Sequence, residues 1–530
     1  MQHSSRSNHR ALRRLAPLVW LALAVPLSGA VQCTYRGLPN PAQPFDTYLD
    51  RLAAFLESDV GTGTILEENG QPIPPYFYSF AICDETILPY CSGADQLFVA
   101  SYPAFTGAMA IRAFLAYYAY AGDAGARDRA IQFADWVLAH RTPSGDVYGD
   151  FPYSTTANGV FGALDPDVFP DGPSIELDKA AMFADALLTL YESTDTTSYR
   201  SAATTIAATL AQHQRGDGSL PFKVIPSTGA VYVDYTSNQI AFYRLFRHLA
   251  ALDGDAGYDA AADASWQWIL THPVVTNDWH GFYEDVDDPA SKINFDALEV
   301  VRELVARAGE DASYLTLADH VFDWIETTFL ITSGAYVPLI PSIGEQTGFV
   351  LDGQQAGTCS STIQWALAGF DLGTATDDAF RIRHAAEAAN VVNSAQQSDG
   401  RSFTVIRDAN GGARVYPISW YEQEFIPLEM TLGWLARRPD LAPTDENHLL
   451  ASASAVTGIG YAPHAVTYST RAAGTDLLKL VAEPTAITSN GLNVPEVADL
   501  GAVNEGYVWD TSAQLLTLKH AGTSQVLTLP

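Results

Sequence analysis

Between about residues 45 and 440, apolar residues recur at helical spacing and predict twelve helices. Their bounds are about 45–58, 104–121, 127–141, 178–194, 197–214, 238–252, 255–271, 293–308, 312–328, 360–374, 377–397 and 426–438. The helices are of two kinds. Phe105 to Tyr120, Lys179 to Tyr191 and Ile240 to Leu252 are apolar nearly all round, whereas Arg127 to His140 and Arg381 to Gln397 carry a polar face. The first kind is expected to be buried and the second half exposed.

Five short connections share a pattern of an Asp, followed in four of them by an aromatic: Asp123, Asp195 with Tyr199, Asp255 with Tyr258, Asp311 with Tyr314, and Asp377 with Phe380. Each acid is expected to cap the helix that follows, and each aromatic to pack on its hairpin partner. The spacings of 72, 60, 56 and 66 residues exceed the common solenoid periods and suit one helical hairpin plus one long loop. Six hairpins, each with a buried and a half-exposed helix, predict an all-α (α/α)6 toroid. Because every hairpin runs in the same sense, the short turns gather at one end and the long loops at the other.

After residue 445 the pattern changes to short β-type runs such as HAVTYST, LLTLKHA and QVLTLP, separated by turn residues. These predict a small C-terminal antiparallel β-domain over 445–530, following a toroid over 31–444. The domain is expected either to dock on the toroid or to bind carbohydrate through Tyr507 and Trp509. The first 30 residues read as a signal peptide: Arg6, Arg10, Arg13 and Arg14 precede an apolar run from Leu15 to Leu27, and Ser28-Gly29-Ala30 offers a cleavage site. The run is shorter than the about 20 residues of a membrane span. A secreted protein without membrane insertion after cleavage is expected, with Cys83 and Cys91 as a short-loop disulfide and Cys33 with Cys359 as the remaining pair.

Composition narrows the partner. Hydrophobic residues make up 47% and charged residues 17%, and 61 acids against 29 Lys and Arg give a net charge of −32. Such a field repels phosphate backbones, so nucleic acid is excluded as a partner. No cofactor is expected. Calcium is the one metal that Asp165, Asp167 and Asp171, or Asp285, Asp287 and Asp288, would suit, but neither cluster fits the twelve-residue calcium loop.

The long loops carry aromatics interleaved with carboxylates, which suits a glycan: ring faces stack on sugar C–H faces and acids accept hydroxyl hydrogen bonds or move protons. Hydrolysis of a glycosidic bond needs two carboxyl groups. Glu284 and Asp285 from one loop, and Glu422 and Glu424 from a later one that runs into Pro427 at the first turn of the last helix, are the candidate catalytic residues. Asp178, Tyr153, Tyr235, Trp279, His280, Tyr283, Trp420 and Tyr421 are the candidate substrate-binding residues. Asp178 reads as the cap of its helix, and its neighbour Lys179 is not expected to pair with it.

The segments ELDKAAMFADALLTLYESTDTTSYRSAA and DWHGFYEDVDDPASKINFDALEVVRELV, within the twelve-helix pattern, resemble the six-hairpin glycosidase-like superfamily. That resemblance covers about 45–440 and implies a toroid acting on a glycan, as a glycoside hydrolase or a polysaccharide lyase. The acidic mouth opposes a polyanionic substrate and favours the hydrolase; a non-catalytic glycan-binding protein is the alternative from another class. Asp285-Val286-Asp287-Asp288 also fits the D-x-D-D pattern of terpene cyclases, and QRGDGSL and QQSDGRS echo the Q-x-x-x-G turns of that family, although both lack its Trp.

Overall fold

The computed structural model describes residues 38–57, 100–157, 160–162, 174–281, 291–331, 342–347, 350–351, 354–398, 400–402, 405–406 and 421–530. Its helices are α1 (Phe45–Glu57), α2 (Pro103–Ala121), α3 (Ala124–Ala139), α4 (Leu177–Thr194), α5 (Thr197–His213), α6 (Gln239–Asp253) and α7 (Ala256–Thr271). They continue with α8 (Pro273–Thr276), a single turn, then α9 (Phe295–Ala306), α10 (Ser313–Phe329), α11 (Cys359–Thr376), α12 (Ala379–Ser394) and α13 (Tyr421–Arg437).

The inner helices α2, α4, α6, α9, α11 and α13 each touch the next, and α13 returns to α2, closing a ring. Each pairs with an outer helix: α3, α5, α7, α10 and α12 for the first five. The sixth pair is not consecutive in the chain, because α13 packs on α1. The apolar helices are the inner ones, since the ring leaves them no solvent face. Where α6 meets α9 the seam is bridged by polar groups: Tyr243 donates to Glu303 at 2.9 Å, and Arg244 pairs with Glu299.

Two of the five turn acids cap as expected. Asp123 and Asp255 accept the Gly125 and Gly257 backbone N–H groups at 2.8 and 2.7 Å. Asp195 and Asp377 instead close the preceding helix in the left-handed region, at φ 60° and 57°, and Asp378 caps α12. Short Asp side chains tolerate that conformation. Asp311 accepts the Ser313 N–H, with Ala312 at the cap position of α10. The aromatics also divide. Tyr258 stacks on Phe246 of its hairpin partner, whereas Tyr199 donates to Asp135 and Tyr314 accepts from Trp266, both on the preceding outer helix.

The two Q-x-x-x-G turns are one device used twice. Gln214 Nε2 donates to the Gly218 and Ala261 carbonyls, and Gln396 Nε2 to the Gly400 and Tyr48 carbonyls. Gly218 (φ 92°) lies against the Ala264 carbonyl of α7, and Gly400 (φ 101°) against the Arg51 carbonyl of α1. Each turn therefore ties one outer helix to the next, and the second helps close the outer layer between α12 and α1.

Short strands tie the long connections to one another: β1 (Ala100–Ser101), β2 (Thr156–Ala157) and β3 (Val160–Phe161); β4 (Ile175–Glu176), β5 (Lys223–Val224) and β6 (Val231–Val233); β7 (Val350–Leu351) and β8 (Gln354–Gln355); β9 (Gly357–Thr358) and β10 (Val405–Ile406). They lead into the N-terminal ends of the inner helices.

The C-terminal strands are β11 (His448–Ala451), β12 (Val456–Ala462), β13 (Ala465–Thr470), β14 (Gly474–Lys479) and β15 (Ala486–Ser489). β16 (Leu492–Asn493), β17 (Gly506–Asp510), β18 (Leu515–His520) and β19 (Ser524–Thr528) complete them. They form two antiparallel sheets, ordered β11-β14-β18-β17 and β12-β13-β19-β15-β16. Buried Asp476 pins the sheets together, accepting from Tyr468 and His520 at 2.8 Å each. The domain docks on the short-turn end of the toroid. His448 stacks on Tyr120 at 4.0 Å, Tyr461 donates to the Ala119 carbonyl, and Ser193 donates to the Val456 carbonyl. Tyr507 and Trp509 are half-buried against the core.

Candidate functional site

Where the long connections meet the inner helices, four charged side chains are buried together. β4 runs directly into α4, and its antiparallel pairing with β5 sets Lys223 opposite Glu176. Lys223 Nζ lies 3.6 Å from Glu176 Oε1, and Lys179 Nζ lies 3.8 Å from Glu176 Oε2 and 2.7 Å from Asp178 Oδ2, with all four side chains only 1% exposed. Two cations and two anions balance, as burial of charge demands.

Asp178 and Lys179 pair although adjacent, which the sequence reading did not expect. Packed over the rings of Phe105 and Phe222, at 5.8 and 5.5 Å, the lysine has no route to water and folds back on its neighbour. Nor is Asp178 the cap: Glu176 precedes the helix, and Asp178 is its second residue. Its Oδ1 has no hydrogen-bond partner among the described residues.

Asp296, absent from the sequence candidates, completes the cluster. It is the second residue of α9 and 5% exposed. Burial holds its carboxyl protonated well above the usual carboxylate range, and the nearby charge of Asp178 adds to this, outweighing Lys179. The packing of Phe105 against Phe295 at 6.2 Å brings α2 and α9 together beside it. A signal was present in the sequence: Asp178 and Asp296 each hold the second position of an inner helix. Glu422 holds the same register in α13.

Beside this cluster lies an aromatic sector. Tyr235 stacks between Phe222 at 6.2 Å and His280 at 5.0 Å. Ser237 brackets His280, donating to its carbonyl and accepting from its N–H at 2.7 Å. The His280 Nδ1 lies 2.8 Å from the Ser291 carbonyl, so it carries the hydrogen, and Nε2 faces Asp278 and Lys292. Burial would raise the Asp278 carboxyl, but Lys292 and His280 outweigh it and hold it low. Gly281, at φ 68°, lies under the Tyr235 ring, where a Cβ would stand 2.7 Å from ring carbon.

The other sequence candidates are placed as follows. Trp279 is buried against Trp324 at 6.4 Å, and Tyr153 is half-buried beside Phe161 at 5.8 Å. Glu424 is buried, its Oε2 accepting the Ser402 N–H at 2.8 Å. Tyr421 and Glu422 open α13, and Pro427 lies within that helix rather than in its first turn. Tyr283, Glu284, Asp285, Trp420, the two acidic clusters weighed for calcium, and Cys33, Cys83 and Cys91 lie outside the described residues. Cys359 is buried at the start of α11. Among the described residues no helix is long and apolar enough to cross a membrane, and no group of His, Cys, Asp and Glu is arranged to hold a metal.

Beneath the acid pair, charges cross the ring. Arg112 of α2 binds Glu429 of α13 at 2.7 Å, and Glu299 of α9 takes Arg244 and Arg302. Burial alone would raise Glu299, but the three surrounding arginines overcome it and hold it at about 2. Asp371 of α11 accepts from Arg437 at 2.7 Å, and Asp185 and Glu192 of α4 clasp His248 of α6.

No protein-family model and no curated protein sequence matches the chain. Solved structures do match in fold. A D-mannose isomerase superposes with a TM-score of 0.51 at 11% identity, over 73% of this chain and 96% of that one. A sugar epimerase from a ruminal bacterium gives 0.52 at 9% identity, over 73% and 97%, and the cellobiose 2-epimerase of Bacillus thermoamylovorans 0.50 at 11%, over 73% and 99%. At such identities the likeness is one of fold: the chain has the (α/α)6 toroid fold of the six-hairpin glycosidase-like proteins, followed by an antiparallel β-domain.

Proposed function

We propose that the chain is an exported glycoside hydrolase that cleaves an oligo- or polysaccharide where the long connections meet the inner helices. In this reading Asp296 gives its proton to the leaving glycosidic oxygen, and Asp178 is the carboxylate that attacks the sugar or draws a proton from water. The observation that carries it is the acid pair itself. One buried carboxyl, Asp296, is held well above the usual range by its dry surroundings and by Asp178 beside it, and glycosidic hydrolysis requires an acid of that kind next to a second carboxyl group. Asp178 is oriented through Oδ2 by Lys179 and leaves Oδ1 open. The Phe222–Tyr235–His280 stack supplies an aromatic wall for sugar C–H faces. Toroids of the same fold include a D-mannose isomerase and a cellobiose 2-epimerase, which favours a sugar as the ligand. Glu422, in the same register on α13, is the proposed third acid. Export is proposed from residues 1–30, and with it an oxidising compartment in which Cys83 with Cys91 and Cys33 with Cys359 would pair.

The test is a panel of neutral oligo- and polysaccharides assayed for new reducing ends. Asp296→Asn, Asp178→Asn and Glu422→Gln are each expected to lose about 10²–10⁴-fold in turnover while still binding the substrate. An Asp296→Asn variant with full turnover would refute the assignment. Four other results would replace it: a new ultraviolet absorbance marks a lyase, an isomerised sugar with its linkage intact an isomerase, binding without turnover a lectin-like protein, and an unresponsive panel a different substrate class.

A further inference from the structure

The charges that cross the ring form a floor with two sides. Asp178 and Asp296 stand on one. On the other is a cavity of about 430 Å³, between the C-terminal halves of α2, α4, α9, α11 and α13 and the β-domain from β11 to the first residue of β12, Leu449 to Val456. Its size falls within the range of small-molecule sites, about 300–1,000 Å³.

The lining is specific. Arg112, Glu429 and Arg302 belong to helices that are otherwise core, yet their side chains remain 23%, 18% and 22% exposed, so solvent reaches them through the cavity. Glu429 binds Arg112 through Oε1, and Arg302 lies against Glu299 at 3.1 Å and, through Nε, 4.0 Å from Asp371. The floor thus presents guanidinium donors beside a carboxylate acceptor. Leu115, Ala116, Ala119 and Leu367 make the wall apolar.

Charge decides the ligand class. Arg112 is neutralised by Glu429 at 2.7 Å and Arg302 by Glu299 at 3.1 Å, which leaves no surplus cation for a phosphate or carboxylate. The Glu429 carboxylate repels an anion, and the polar floor rejects an acyl chain. A neutral ring bearing several hydroxyls satisfies donor and acceptor together and sets its C–H face on the apolar wall. We propose that this cavity is a second sugar-binding site, for a neutral mono- or disaccharide, at the end of the toroid opposite the acid pair and roofed by β11 and the turn that follows it. It stands whatever reaction the acid pair performs.

The experiment is calorimetric titration of the full chain with D-glucose, D-mannose, cellobiose and myo-inositol, with D-glucuronate as the anionic counterpart. Ala119→Phe fills the wall, Glu429→Gln keeps the shape and removes the charge, and Asp296→Asn serves as a control at the other end. Saturable binding of a neutral probe is expected, unchanged in Asp296→Asn and weakened about ten-fold or more in Ala119→Phe and Glu429→Gln. Should Ala119→Phe fail to fold, the near-isosteric Glu429→Gln carries the test. No saturable binding by any neutral probe overturns the proposal. So does tighter binding of glucuronate, or binding that Asp296→Asn abolishes and the cavity variants leave intact, which would assign the sugar to the acid pair alone.

Discussion

His248 is the most exacting stability probe in the toroid. It stands on α6 with Asp185 2.8 Å from Nδ1 and Glu192 3.1 Å from Nε2, two carboxylates seven residues apart on α4. With an acceptor on each nitrogen, both must donate, so the ring is an imidazolium. Burial would lower its affinity for the proton, but the hydrogen bonds and charges of Asp185 and Glu192 raise it to about 10, from an ordinary value of about 6.5. Because the folded value lies above the unfolded one, the folded state gains from this proton below about pH 6.5 and loses that gain as pH climbs through about 10. At about 1.4 kcal/mol per pH unit the interval corresponds to about 5 kcal/mol, and solvent reaches a fifth of the ring, so about 2–4 kcal/mol is expected. The assay is thermal unfolding of the native chain and of His248→Gln from pH 6 to pH 10. Other titrating groups are common to both proteins and cancel in the difference. The native chain should melt well above the variant at pH 6, with the gap closing steadily above pH 7 and nearly gone at pH 10. A gap that stays constant, or widens with pH, would refute the reasoning.

Other expectations follow from the same geometry. Ala at Gly218 or Gly400 would put a Cβ into a carbonyl of the next outer helix at a φ that L residues avoid, costing about 2–4 kcal/mol in urea unfolding, whereas Ala at exposed Gly216 should cost well under 1 kcal/mol. With a net charge of −32 the folded chain repels itself, so its melting temperature should rise from low ionic strength to about 1 M salt, where the screening length is about 3 Å. A flat or falling profile in sodium chloride would show that surface repulsion is not limiting.

The helical architecture was legible because its signal is local. An inner helix must be apolar all round and an outer one on a single face, and α4, α5 and α7 lie within a residue of where periodicity sets them. The rim was legible for a related reason, since long insertions between hairpins of one sense can only collect at one end. Individual acids were less so. Asp178 was marked for its position, but its partner Lys179 was discounted on chain adjacency, a rule for solvated helix surfaces that fails where Phe105 and Phe222 close the route to water. Asp296 was passed over because an acid two positions into NFDALEV looks like any helix start. The same ambiguity misled at Asp195 and Asp377, where a turn acid reads as the cap of the next helix but completes the previous one.

By itself, then, the sequence determined the twelve long helices, which of them face the core, and the change to β-structure near residue 445, because each depends on the periodicity of a short stretch of chain. Tertiary structure alone decided which charges share a low-dielectric space: Asp178 with Asp296, His248 between two carboxylates, Arg112 and Arg302 over a cavity. Their protonation and pairing are set by distances across the ring, between helices up to some 300 residues apart in the chain, and no local pattern encodes them.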